Sequence, residues 1–222
     1  MSRWEIRLAI LFSAAIVGVY PPCAVGAETK PGLASALLET LPVKGRAPKT
    51  GYTRDQFGLA WADTDRNGCD TRNDILKRDM TSIIYKVKTR DCVVVSGTLV
   101  DRYSGETINF VRGNVSSMEV QIDHVVALSN AWQTGAFQLT LAQRTALAND
   151  PLNLFAVKGK LNLQKSDGDA ATWLPPMKSF RCAYVAQQIA VKAKYSLWVV
   201  PPEKAAMVAI LAKCPTQTVP VG

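Results

Sequence analysis

Four cysteines downstream of an uncharged N-terminal run set the frame within which this chain can fold. Arg3 and Arg7 precede Leu8–Val19, which carries no charge, and Val25-Gly26-Ala27 supplies small residues before Glu28. Basic, apolar and small-residue stretches in that order have the layout of an export signal, so removal of residues 1–27 is expected. The apolar run is shorter than the roughly 20 residues that span a bilayer, and no stable membrane association is expected after cleavage. Cys23 leaves with that segment; Cys69, Cys92, Cys182 and Cys214 remain. An even number of cysteines in an exported chain reads as two disulfides, and a secreted or cell-envelope location follows. Of the possible connectivities the sequence-local one, Cys69–Cys92 with Cys182–Cys214, is preferred, each bridge constraining the unfolded chain by about 3 kcal/mol. No pair has the C-x-x-C spacing of a zinc site.

The organisation beyond the signal reads as one mixed domain. Residues 28–51 form a leader, a short amphipathic stretch that reads as a peripheral helix, followed by the Pro- and Lys-bearing linker Pro42–Lys49. The compact domain spans 52–214, and 215–222 is a tail. Asp70 or Thr71 can cap a helix over 72–81. Val93–Val95 with Gly97–Val100, and Thr107–Val111, read as strands joined by the turn residues Asp101–Gly105, which makes a hairpin. Val120–Val126 is a further β-rich run. Helical spacing follows over 128–132, 139–148, 161–165, 180–195 and 203–211. The expected fold class is α+β, one domain whose strands and added helices are stapled by the two disulfides. The sequence does not set the oligomeric state, and a monomer is assumed.

Charge and histidine content narrow the chemistry. Lys and Arg number 26 against 18 Asp and Glu, giving +8 with a single His in 222 residues. A basic chain points to polyanionic partners. One histidine excludes two-histidine ribonuclease mechanisms and H-E-x-x-H metalloprotease sites, so histidine chemistry must run through His124. No G-x-S-x-G elbow is present to partner it in a serine hydrolase.

His124 lies in Ile122-Asp123-His124-Val125-Val126, and a second informative stretch runs from Asn153 to Lys165. Adjacent Asp and His on a strand project to opposite faces, which suits a carboxylate on a metal and an imidazole facing substrate. Asn162 can return to that metal from a turn, while Asn153 braces the loop. Lys165 follows Asn162 by one helical step and shares its face.

This constellation resembles the HNH (His-Me finger) endonucleases, whose core is a β-hairpin followed by a helix around one divalent metal. The wider text, including Arg66–Asn73, Asp123–Leu128 and Ala148–Leu154, is similar to a branch of exported bacterial HNH proteins like the C-terminal domain of GmrSD-type restriction enzymes. The resemblance covers about residues 52–214. It departs from the commonest pattern in having Asn162 rather than His at the third position, and in a long interval between Asp123 and Asn153.

The resemblance implies a ββα-metal core and hydrolysis of phosphodiesters, with little sequence specificity, in DNA and secondarily RNA. His124, neutral above about pH 6.5, would act as general base. Asp123 and Asn162 would hold a divalent cation, Mg²⁺ first and Mn²⁺ second because the ligands are hard oxygens. Asn153 would fix the His-bearing loop, and Lys165 would contact phosphate. Arg72 is a further candidate for phosphate, its competing reading being an ion pair with Asp70 or Asp74. The rival from another class is a non-catalytic polyanion-binding protein on a nuclease-like scaffold. A serine-dependent envelope hydrolase ranks last.

Overall fold

A two-stranded antiparallel ribbon carries the histidine. In the computed structural model, which describes Met1, residues 32–114 and residues 116–220, the expected signal segment lies outside the described residues apart from Met1. The folded unit runs Pro31–Gly222, and all of the elements belong to it.

The first half builds a helix and a three-stranded sheet. Helix α1 is Ala34–Thr40 and α2 is Thr71–Asp79. Asp70 caps α2 by accepting from the Asn73 N–H at 2.8 Å, as its residue type favours. Strand β1, Met80–Tyr85, follows α2 without an intervening turn and pairs antiparallel with β2, Val94–Val100, which pairs with β3, Thr107–Val111. The β2–β3 hairpin was expected. Strand β1 was not: the helical reading ran on to residue 81, since no Gly or Pro marks the change from α2 to strand.

The second half holds β4, Val120–His124, antiparallel to β5, Leu154–Lys158, with Asp123 opposite Phe155 and His124 opposite Leu154. Two helices fill the interval between them, α3 (Leu128–Gln133) and α4 (Leu141–Asn149). Thr140 and Gln143 form a reciprocal capping box at the start of α4, and Asp150-Pro151 ends it. Helix α5, Gly159–Lys165, leaves β5 with no linking residue. Gly159 permits this tight exit, because a Cβ there would collide with the Met118 carbonyl oxygen. Helices α6 (Arg181–Lys194) and α7 (Pro201–Leu211) close the chain.

Alternation along β4 divides its neighbours into two cores. Val120 and Ile122 pack with Ile75, Leu76, Leu99 and Phe110 of α2 and the three-stranded sheet. On the opposite face, Tyr103, Phe155, Val157 and Tyr184 form a second core beside Asp123. Cys69–Cys92 ties the loop before α2 to the β1–β2 connection, and Cys182–Cys214 ties α6 to the end of α7.

The segment read as a leader is instead part of the packed structure. Ala34 and Leu38 are buried against Val185, Ile189 and Met207 of α6 and α7, and Ala47 N–H donates to the Gln133 carbonyl at 2.9 Å. The expected tail is likewise tied in, with Val219 N–H donating to the Gly32 carbonyl at 3.0 Å. These partners lie far away in sequence, so the local composition that suggested a tether could not disclose them.

Candidate active site

His124 ends β4 with its ring almost buried and its orientation fixed. Nε2 lies 2.8 Å from the carbonyl oxygen of Ala148. Ala148 sits in the last turn of α4, where carbonyls have no partner within the helix, and His124 satisfies one of them. A carbonyl only accepts, so Nε2 carries the proton and Nδ1 keeps the lone pair. The Trp61 ring stacks on the imidazole at 5.9 Å between centroids and 16° between planes. Trp61 itself adopts φ 57°, a left-handed conformation that a bulky residue keeps only when its surroundings hold it.

Asn153 holds this arrangement from behind. It is fully buried; its Oδ1 accepts from Val126 N–H at 2.8 Å, and its Nδ2 donates to the carbonyls of Val126 and Leu147 at 3.3 Å each. It thereby connects the residues after His124 to the last turn of α4.

Asp123 points to the other face of the strand. Its Oδ1 accepts from Lys165 Nζ at 2.9 Å and its Oδ2 from the Tyr103 hydroxyl at 2.5 Å. Lys165 also donates to the His124 carbonyl at 2.8 Å. The Lys165 side chain has no exposed surface, so its ammonium is placed to support Asp123 and the His124 backbone rather than to reach a phosphate. Burial pushes the Asp123 carboxyl above the ordinary carboxylate range, opposed by Lys165 and by the Tyr103 hydrogen bond. Burial of the Tyr103 phenol, and then the neighbouring charge of Asp123, drive that phenol well above its usual value.

A cleft of about 800 Å³ opens beside β4 and is lined by His124, Asp123, Gln121 and Asn162, with the cations Lys49, Arg54, Arg72 and Arg112. Asn162 is half-buried on α5, and its Nδ2 donates to Gln121 Oε1 at 2.9 Å. That bond fixes the amide so that Oδ1 is the free acceptor, with no donor among the described residues. Arg72 makes no ion pair among the described residues; neither Asp70 nor Asp74 takes it. Burial, and then the charge of Arg112, pull the Arg72 guanidinium below its ordinary value. An anion in the cleft would relieve that repulsion. Lys49 is paired with Asp167 at 2.5 Å.

Burial is the main reason that the His124 pKa falls from 6.5 to about 4; the Ala148 hydrogen bond opposes the fall, and the charges of Arg54 and Lys165 assist it. The expectation of a base neutral only above about pH 6.5 is corrected accordingly: the buried ring stays neutral well into acid. Between these values the unfolded chain binds a proton that the folded chain does not, so stability rises with pH across that window. Acidification from pH 6.5 to 4 is therefore expected to cost about 3 kcal/mol through this residue. As the chain has a single His, the test is direct: its one imidazole resonance in the metal-free protein should titrate near pH 4, and a midpoint near 6.5 would contradict the burial described.

For a divalent cation the cleft offers only a partial donor set. No group of three or more His, Cys, Asp or Glu side chains among the described residues is arranged to hold a metal ion. Asn162 offers one neutral oxygen at the cleft, which fits a hard cation completing its shell with water and phosphate. Asp123 lines the cleft, but both its oxygens are already engaged.

Several site residues were not legible in the sequence. Lys49 stands in the stretch read as linker, Arg54 and Trp61 stand in a part of the domain given no element, and Tyr103 was read as a turn residue, though its ring is fully buried. Only their contacts with residues distant in sequence reveal them. No helix among the described residues is long and apolar enough to cross a membrane.

No solved structure matches this chain. A protein of the fungus Arthroderma benhamiae, known as an uncharacterized secreted protein, is 36% identical over 214 residues, covering 93% of this chain and 98% of that one. That relative is fungal, so it does not confirm the bacterial part of the expected resemblance. Residues 70–210, which include β4, β5, α5 and the whole His124–Asn162 arrangement, match the family of GmrSD restriction endonucleases, C-terminal domain. That match spans more than half of the sequence, and the chain belongs to this family.

Proposed function

We propose that this protein is an exported, metal-dependent endonuclease that hydrolyses phosphodiesters of DNA, and of RNA as a second substrate, with little sequence preference. The observation that carries the reading is the bond from His124 Nε2 to the Ala148 carbonyl. It leaves Nδ1 as a neutral base in a cleft ringed by cations. Membership in a restriction-endonuclease family and the name of the secreted relative support the same reading.

In the mechanism, Arg54 and Arg72 draw the phosphate backbone into the cleft and pair with phosphate oxygens through their forked donors, while Arg112, whose Nε and Nη2 already donate to the Val94 carbonyl and Asn73 Oδ1, adds its positive charge. His124 Nδ1 takes a proton from the attacking water, and the imidazolium is then stabilised by the Ala148 carbonyl on Nε2. Asn153 and Lys165 act as positioning residues, holding the His124 backbone from either side. Asn162 Oδ1 would hold a divalent cation, Mg²⁺ or Mn²⁺, whose chemistry is to neutralise the scissile phosphate and the leaving oxygen. Asp123 lines the same cleft, with its two oxygens taken up by Lys165 and Tyr103.

The β4–β5–α5 unit is, on this reading, the ββα-metal core. DNA and RNA should be cut in Mg²⁺ or Mn²⁺, with cleavage lost in EDTA; cleavage unchanged by chelation would remove the metal from the account. Asn162→Ala should raise the Mn²⁺ concentration for half-saturation, followed by direct titration, by at least about tenfold. Unaltered Mn²⁺ binding would take Asn162 out of the site.

A further inference from the structure

A second cavity, of about 300 Å³, shares Arg54, Trp61, His124 and Leu128 with the cleft. Its other walls include Phe57, Leu59 and Ala60, so it is largely apolar, and Asn149 stands on its lining. We propose that this cavity is a nucleobase subsite: an unpaired base of the strand being cut turns into it, and an N–H of that base donates to Asn149 Oδ1. The proposal rests on the nucleic-acid reading of the His124 cleft and adds the form of nucleic acid that the site takes, single-stranded or locally opened.

Three observations support it. Asn149 is 2% exposed, its Nδ2 donates to the Thr145 carbonyl at 2.9 Å, and its Oδ1 has no donor among the described residues. A buried acceptor left in that state is costly, and a small turn of the Asn149 amide toward the cavity would let a base, whose pairing edge always offers an N–H, satisfy it. The volume lies at the lower end of ligand pockets, which suits one flat heterocycle among apolar walls. Continuity is the third: Arg54 and His124 line both spaces, so a base in one and its neighbouring phosphate in the other lie along a single strand. A base held in a duplex is stacked and paired, and it cannot enter without leaving the helix. Leu59, 78% exposed, leaves apolar surface at the cavity on which an incoming base can pack.

The test compares binding of two labelled single strands by the full protein in EDTA, so that no cleavage intervenes. One is a short oligodeoxyadenosine; the other has equal length and phosphate number but abasic sites in place of the nucleosides. The base-bearing strand should bind about tenfold more tightly, within the range that a buried base contributes elsewhere. Ala60→Phe, at an exposed position on the cavity wall, should bring the ratio close to one while leaving the abasic affinity in place. Asn149→Ala should lower the ratio by removing the acceptor. Equal affinity of the natural protein for the two strands, or a ratio that survives Ala60→Phe, overturns the subsite. Cleavage is scored separately in Mg²⁺: cutting without base discrimination removes the subsite alone, whereas base discrimination without cutting removes the hydrolytic reading alone.

Discussion

Lys165→Met is expected to lower the unfolding free energy by about 3–5 kcal/mol, because it strands the Asp123 carboxylate in the core. The ammonium and the carboxylate are 2.9 Å apart, with exposures of 0% and 4%. Removing the lysine leaves Asp123 with the Tyr103 hydroxyl as its one side-chain donor, and the His124 carbonyl loses its bond to Nζ as well. For a folded unit of this size the loss corresponds to a fall in Tm of about 10 °C or more. The penalty should shrink as pH falls and Asp123 takes up a proton, since the neutral acid tolerates burial better. Adding Asp123→Asn to Lys165→Met should restore part of the lost stability for the same reason. Thermal unfolding of the three proteins at pH 7 and pH 5 measures this directly. A Tm for Lys165→Met within a degree or two of the natural protein would show that the pair does not hold the β4–α5 contact.

The same residue shows which parts of the site could be read from the sequence. Its proximity to Asp123 and Asn162 was legible, because a β-run, a turn and a short helix carry their own periodicity. Its role was not: a lysine near a phosphate site reads as a phosphate ligand until its burial is known. Asp123 has the same history. Adjacent Asp and His do project to opposite faces of β4, but the face that receives Asp123 holds Tyr103 and Lys165, brought there by the hairpin turn and by α5. The β2–β3 hairpin, the strands β4 and β5, helices α6 and α7 and both cysteine pairings followed from local pattern and composition. Strand β1 escaped because it begins where α2 ends. Helix α1 was read as a peripheral helix of a leader, because the partners that bury it lie on α6 and α7. Trp61 and Arg54 had no local signal, and their importance comes from where the loop before α2 crosses His124.

His124 carries the largest expected effect on activity. It is the only imidazole in the chain, its proton is fixed on Nε2 by Ala148, and its pKa of about 4 keeps it neutral at any ordinary assay pH. A general base held in this way contributes about 10²- to 10⁴-fold to rate. His124→Ala removes Nδ1 without removing Arg54, Arg72 or Arg112, so DNA binding, which is electrostatic, should persist and stay salt-sensitive. Binding and cleavage should therefore separate in this one variant, which also distinguishes the endonuclease from a nuclease-like scaffold that only binds polyanions.

The most direct measurement is conversion of supercoiled plasmid to nicked and linear forms by the purified protein in Mg²⁺, beside the same protein in EDTA and the His124→Ala variant in Mg²⁺. Plasmid cut by the natural protein alone, with the variant still retarding DNA in a gel, is the predicted result. Cutting that continues undiminished in His124→Ala would contradict the assignment of the base, and a natural protein that retards the plasmid without ever cutting it would contradict the endonuclease itself.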